Sequence, residues 1–142
     1  AGIVAAIGTQ VTDFRVGDEV YFCNGGLGDH PGTYAEFATV DQRFLAHKPA
    51  SLSFAAAAAV PLVVITAWEA LYDRVQLQAG QRVLIQAGAG GVGHVAIQLA
   101  RLKGARVCTT VSSAQKAAFV QQLGAELVIN YREQNVIEAV LD

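Results

Sequence analysis

Charge is scarce in this sequence. Asp, Glu, Lys and Arg supply 15% of the 142 residues against 53% hydrophobic, and the formal net charge is −2. So much apolar side chain excludes a disordered chain, and the near balance of sign leaves no electrostatic basis for binding nucleic acid or an anionic membrane. Cysteine is scarcer still. Cys23 and Cys108 stand far apart with no metal-ligand spacing, which suits a reducing, cytoplasmic setting and excludes a four-thiolate zinc site built from this chain alone. Histidine adds no ligand set, because His30, His47 and His94 share no i,i+4 relation. A basic leader region is missing too, and Ala1 to Thr9 reads as a strand entered midway rather than a signal peptide. Residues 49–68 carry no charge and approach a membrane span in length. Ser51, Ser53, the weakly apolar alanine run and a central Pro61 make buried helices the better reading.

What is present is organised around residues 82–103. A short apolar run, Val83 to Ile85, has the character of a buried parallel strand. Gly88, Gly90, Gly91 and Gly93 then lead into a segment whose apolar residues Val92, Val95, Ala96, Leu99 and Leu102 fall on one helical face, with Gly104 placed for a left-handed cap. Gly88-x-Gly90-x-x-Gly93 between strand and helix fits the dinucleotide fingerprint: a tight turn, backbone approach to a pyrophosphate, and close helix packing. Free N–H groups at the helix start, including that of Val92, would face the phosphate oxygens. A structural glycine turn is the bland alternative.

The cofactor's identity is read from another absence. An NAD site places an acid roughly 20 residues past the fingerprint, and no Asp or Glu occurs between Gly88 and Glu126. Ser112 and Ser113 offer hydroxyl donors and Lys116 a positive charge, a combination that favours the 2′-phosphate of NADP(H).

In chain order, residues 2–7 read as a strand, Asp13 to Asp18 as a turn, and Glu19 to Phe22 as a strand. A glycine-rich loop, Asn24 to Gly32, precedes alternation over Thr33 to Val40 and a short extended piece over Arg43 to Lys48. The first fifty residues therefore read as part of a small barrel. From Ser51 an alanine helix is expected to end at Pro61, with a second helix over Leu62 to Tyr72. After the glycine turn come strands at Arg106 to Val111 and Leu127 to Asn130. A helix capped by Ser112 or Ser113 runs to about Leu123, and another is capped by Asn135. The pattern β-α-β-α-β is the first half of a doubly wound parallel sheet.

Five stretches carry a family resemblance: Phe14-Arg15-Val16-Gly17-Asp18-Glu19-Val20, Gly32-Thr33-Tyr34-Ala35-Glu36-Phe37, Leu62 to Leu71, Ala87 to Gly93, and Asn130-Tyr131-Arg132. In this order they resemble the medium-chain dehydrogenase/reductase superfamily, in its zinc-independent quinone oxidoreductase branch. The resemblance implies an α/β chain: a partial GroES-like β-barrel at residues 1–50, then linking helices and half a Rossmann domain at 51–142. It implies an NADPH-dependent enzyme passing hydride to a quinone or an α,β-unsaturated carbonyl, dimeric in its full-length form. By the same resemblance Lys116 and Tyr131 hold the 2′-phosphate and Thr66 lies beside the nicotinamide, although Thr66 also suits a helix threonine bonding back to a carbonyl. No proton donor is assigned.

Family members carry a further N-terminal region and a second Rossmann half, so the chain reads as a piece of an enzyme, a truncated chain or a partial gene. Zinc-dependent relatives have a four-cysteine lobe where Cys23 stands alone, which disfavours structural zinc. A zinc-dependent alcohol dehydrogenase stays open as an alternative, because the usual first catalytic ligand would precede Ala1. So does a non-catalytic binding module, with the isolated chain self-associating and poorly active through an unpaired sheet edge. His94 is expected at the solvent-facing first turn of the phosphate helix, with pyrophosphate contact as the alternative. Cys108 is expected as a small buried residue, and Glu36 as a structural partner in the barrel, with a buried functional carboxylate as the alternative.

Overall fold

In the computed structural model, which describes residues 1–23 and 32–141, the chain divides into units Ala1–Leu62 and Val63–Asp142. The loop expected at Asn24 to Gly32, with His30, lies outside the described residues except for Gly32. The first unit holds an antiparallel sheet in the order β1-β2-β3, made of β1 (Gly2–Ile3), β2 (Glu19–Phe22) and β3 (Leu45–His47). Val20 is its buried centre, opposite Gly2 on one side and His47 on the other. β1 is shorter than the apolar run at residues 2–7. Pairing beside β2 ends once Val4 exchanges hydrogen bonds with Gly17 and Asp18, where Gly17 turns the chain at φ +96°. Thr33 to Val40 forms no strand despite its alternation. No described segment pairs with it, and Tyr34 and Phe37 are exposed, so its backbone lacks a ladder to join. Arg43 to Lys48 is only partly extended, because Gln42–Phe44 makes a 3₁₀ turn capped by Asp41 before β3.

Lys48 fastens this sheet to the helix that follows. Its side chain is 5% exposed; Nζ lies 3.0 Å from Glu19 Oε2 and donates to the carbonyls of Leu52 (2.6 Å) and Pro49 (3.1 Å). The ammonium also sits 5.3 Å from the centre of the Phe54 ring, so a cation removed from water is matched on every side.

Helix α1 (Phe54–Trp68) starts at Ser53, whose Oγ accepts from the Ala56 N–H. It runs through Pro61 without a break and continues into a π-helical turn, Glu69–Arg74. Proline removes one hydrogen bond, and the alanines and leucine around it are good helix formers that hold the helix across that gap. The π turn brings residues five apart together, as Arg74 bonding Glu69 at 2.7 Å shows. By length and composition alone, Phe54–Arg74 is long and apolar enough to cross a membrane.

The second unit is built on a parallel sheet in the order β4-β5-β6: β4 (Arg82–Ile85), β5 (Arg106–Val111) and β6 (Leu127–Asn130). Val83 lies opposite Val107, and Thr109 opposite Val128. Helix α2 (Gly91–Leu102) links β4 to β5, α3 (Ala114–Gln122) links β5 to β6, and α4 (Val136–Leu141) follows. Asn135 Oδ1 accepts from Ile137 N at the start of α4. Gly104 and Gly124 end α2 and α3 at φ +81° and +96°, in the left-handed region where a Cβ is strained.

The buried face of α2 is Gly93, Ala96, Ile97 and Ala100. Spacings of three and four put these on one stripe, but it is rotated from the expected one: Val92 and Leu102 are exposed, while Val95 and Leu99 flank the core. Small residues win the contact because they let the helix axis approach the sheet. Ile97 then fills the space against Ile85 and Val107 in the core.

Ile97 is wholly buried. Ile97→Ala is therefore expected to lower stability by about 2–5 kcal/mol, read as a lower urea midpoint with an unchanged slope.

Candidate functional site

Where the backbone donors of the glycine turn go decides what it can bind. Between the end of β4 at Ile85 and the start of α2 at Gly91, three N–H groups are spent internally. Ala87 donates to Thr110 Oγ1 (3.0 Å), Gly88 to the Thr110 carbonyl (3.0 Å), and Gly90 to the Ala87 carbonyl (2.8 Å). Gly90 is the N-cap, and its carbonyl accepts the first helical bond, from His94 N at 3.0 Å. The N–H groups of Gly91, Val92 and Gly93 have no acceptor among the described residues. Three amide donors thus stand at the positive end of the α2 dipole, those of Gly91 and Val92 on exposed residues and that of Gly93 on a buried one.

Close approach holds that arrangement. A Cβ on Gly93 would overlap the Ala87 carbonyl oxygen, and one on Gly88 would overlap Thr109 Oγ1. At Gly91 it would meet only Val63 Cγ1, at an ordinary 3.5 Å. The turn therefore needs glycine at Gly88 and Gly93 for packing, as the fingerprint requires.

At the adjoining end of β5, Ser113 caps α3, its Oγ accepting from Lys116 N at 3.4 Å. Lys116 Nζ reaches back to Ser112 Oγ at 3.2 Å, so hydroxyl and ammonium already form one polar cluster on the surface. Tyr131 follows β6 and is 52% exposed; its N–H donates to the Val111 carbonyl (3.1 Å), which ties it to the residue before Ser112. Gly88, Gly90, Gly91, Val92 and Gly93 on one side and Ser112, Ser113, Lys116 and Tyr131 on the other thus lie along the C-terminal end of the parallel strands, where ligands of such sheets bind.

Thr66 is exposed on α1, three residues beyond Val63 and so on the same helical side. His94 is half-buried rather than solvent-facing: Nδ1 hydrogen-bonds the Gly90 carbonyl (2.9 Å), and the ring lies 6.4 Å from Phe119. Glu36 is exposed, not a buried carboxylate, since the strand expected to bury it does not form. Cys108 is half-buried on β5, and burial pushes its thiol up, which leaves it a poor nucleophile at neutral pH. Among the described residues no three His, Cys, Asp or Glu side chains gather as a metal site.

Sequence reasoning missed Ala87, Thr109 and Thr110. Ala87 sits at φ +54° without being glycine. Thr109 and Thr110 are the buried polar residues of the core, and Thr109 Oγ1 donates to the Ile85 carbonyl at 2.6 Å. The available signal was a pair of hydroxyl residues inside a strand otherwise reading as core.

Two neighbouring glycines are expected to respond in opposite ways. Gly93→Ala forces a Cβ into the Ala87 carbonyl and is expected to lower stability by about 1–3 kcal/mol. Gly91→Ala meets open packing and gains helix propensity, so stability is expected to hold or rise by up to about 1 kcal/mol. Chemical denaturation of both variants checks the contrast.

Residues 1–50 match the alcohol dehydrogenase GroES-like domain, and residues 91–142 match the zinc-binding dehydrogenase domain. The chain is 40% identical to the NADPH-dependent alkenal/one oxidoreductase, chloroplastic, of Arabidopsis thaliana, covering 96% of this chain and 36% of that protein. It is 39% identical to the quinone oxidoreductase of Pseudomonas aeruginosa over 100% of this chain and 42% of that one. The structure of Escherichia coli quinone oxidoreductase complexed with NADPH superposes with a TM-score of 0.84 at 36% identity, over 96% of this chain and 41% of that one. The chain thus spans about two fifths of the length of these relatives. A glycine turn seated on a parallel sheet, two domains matched in order and identity sustained along the whole chain agree on its kinship: it belongs to the medium-chain dehydrogenase/reductase superfamily.

Proposed function

We propose that the chain is the cofactor-holding part of an NADPH-dependent oxidoreductase acting on a quinone or an α,β-unsaturated carbonyl. The observation that carries this reading is the trio of unclaimed N–H groups at Gly91, Val92 and Gly93, which suits a pyrophosphate. The residues fit the cofactor further along the sheet. Ser112 and Lys116 are already paired where a 2′-phosphate would insert, and Tyr131 stands beside them. No carboxylate on β5 or α3 would repel that phosphate.

When bound, NADPH supplies the hydride and the protein supplies orientation. Amides at the start of α2 would hold the diphosphate, the β5–α3 cluster would hold the adenosine end, and Thr66 on α1 would lie towards the nicotinamide. The domain division that goes with this is a barrel part at 1–50 and linking helices with half a Rossmann domain at 51–142. Zinc-independence is part of the proposal, supported by the sequence, in which Cys23 has no second cysteine before Cys108. So are a cytoplasmic setting, a dimeric full-length form, and no nucleic-acid or membrane partner.

Fluorescence titration should show NADPH binding well over tenfold more tightly than NADH. Lys116→Ala should remove most of that preference, about ten- to a hundredfold for a lost charged contact, while leaving NADH affinity unchanged. Equal affinity of the unaltered protein for both cofactors would defeat the assignment.

A further inference from the structure

We propose that Thr110 is a positioning residue for the pyrophosphate: its side-chain hydroxyl holds Ala87 in the left-handed conformation on which the three free amides of α2 depend. The inference rests on the cofactor reading above and concerns a residue that touches no part of the cofactor.

Thr110 is 6% exposed on β5, the strand beside β4. It takes the N–H groups of the first two residues that need a partner in the turn, Ala87 on Oγ1 and Gly88 on the main-chain carbonyl, each at 3.0 Å. Only the second bond is available to any residue type. The first needs a side-chain acceptor at this position, and the neighbouring hydroxyl is engaged elsewhere, since Thr109 Oγ1 donates to Ile85.

The consequence runs through Ala87. At φ +54°, an alanine is strained and persists only where the surroundings hold it. Its carbonyl accepts the Gly90 N–H at 2.8 Å and is the atom that a Cβ at Gly93 would strike. Ala87 is thus a pivot: anchored at its N–H by Thr110, it fixes at its carbonyl both the N-cap of α2 and the depth to which the helix start sinks. Without the hydroxyl, the Ala87 N–H loses its partner in a part-buried place, and relaxation of φ towards negative values swings the carbonyl away. The amides of Gly91, Val92 and Gly93 then lose their common direction. Ser112, Lys116 and Tyr131 are held by other bonds, so the 2′-phosphate cluster stays as it was.

The test compares two ligands by calorimetric titration. NADPH spans both phosphate sites; 2′-AMP carries only the adenosine phosphate of the Ser112–Lys116 cluster. Thr110→Val keeps the shape and removes the acceptor, and is expected to weaken NADPH about tenfold with 2′-AMP affinity unchanged. Thr110→Ser restores the hydroxyl and is expected to restore NADPH to within about twofold of the unaltered protein. Should the valine variant not fold, Thr110→Cys, of similar size but with a weak acceptor, is expected to show the same selective loss at a smaller size, about threefold.

Unchanged NADPH affinity in a folded valine or cysteine variant would overturn the inference. So would equal loss of NADPH and 2′-AMP, which marks general loosening of the unit, or failure of serine to rescue. An unaltered protein that binds neither ligand is a different result, because it removes the cofactor reading itself.

Discussion

The carbonyl of Ala87 lies against the α-carbon of Gly93 with no room for a side chain between them, and the second unit is arranged around that contact. It brings the first turn of α2 down onto the end of β4, so that Ala96, Ile97 and Ala100 meet the sheet and Gly93 itself becomes part of the buried stripe. The same contact leaves the amides of Gly91, Val92 and Gly93 with no partner among the described residues. Packing and binding are therefore not separate properties of this turn. A helix standing off by one methyl group would weaken the core and also withdraw the donors from the position where an anion gains most from them.

This coupling explains the distribution of polar groups. Most of β5 is core, yet its C-terminal half carries two buried threonines whose hydroxyls both reach across to the β4 side. A turn with a left-handed alanine and a run of glycines has little intrinsic stability, because glycine loses the most conformational freedom on ordering. Hydrogen bonds from a rigid neighbouring strand supply what the local sequence does not. Buried hydroxyls are tolerated there because each is matched; among the described residues no buried side-chain polar atom lacks a partner.

The sequence made much of this legible, and the failures have physical causes. Glu19–Phe22, Arg106–Val111 and Leu127–Asn130 form strands over the residues their composition marked, because each pairs with a neighbour in the register its burial requires. Gly104 and Gly124 cap helices as their places after apolar runs implied. Thr33 to Val40 alternates equally well and forms nothing, since alternation proposes a strand and only a partner strand makes one. Pro61 reads as a helix breaker but costs one hydrogen bond inside an apolar segment whose alanines and Leu62 favour helix, and the helix continues. The face of α2 was misplaced because hydrophobicity points to valine and leucine, whereas close approach to a sheet selects glycine and alanine. The fingerprint glycines could be named from spacing alone. The residues that hold them, Ala87 and Thr110, lie 23 positions apart and share no local pattern, so only the folded register of β4 on β5 reveals them.

That register also places the two halves of the site. Thr110 anchors the glycine turn, and two residues later Ser112 meets Lys116. In an extended strand this spacing is about 7 Å. A pyrophosphate group at the start of α2 and a phosphate on the adjoining ribose are thus addressed from one short piece of backbone. Val111, between them, accepts the N–H of Tyr131 and brings the end of β6 to the same edge. Replacing a serine here with an acid would change which ribose is accepted without disturbing the turn, while altering Thr110 would do the reverse. The division of labour follows from position along β5: Thr110 lies within hydrogen-bond reach of the β4 turn, whereas Ser112 falls beyond the last paired residue, Val111, where the strand has given way to the helix start.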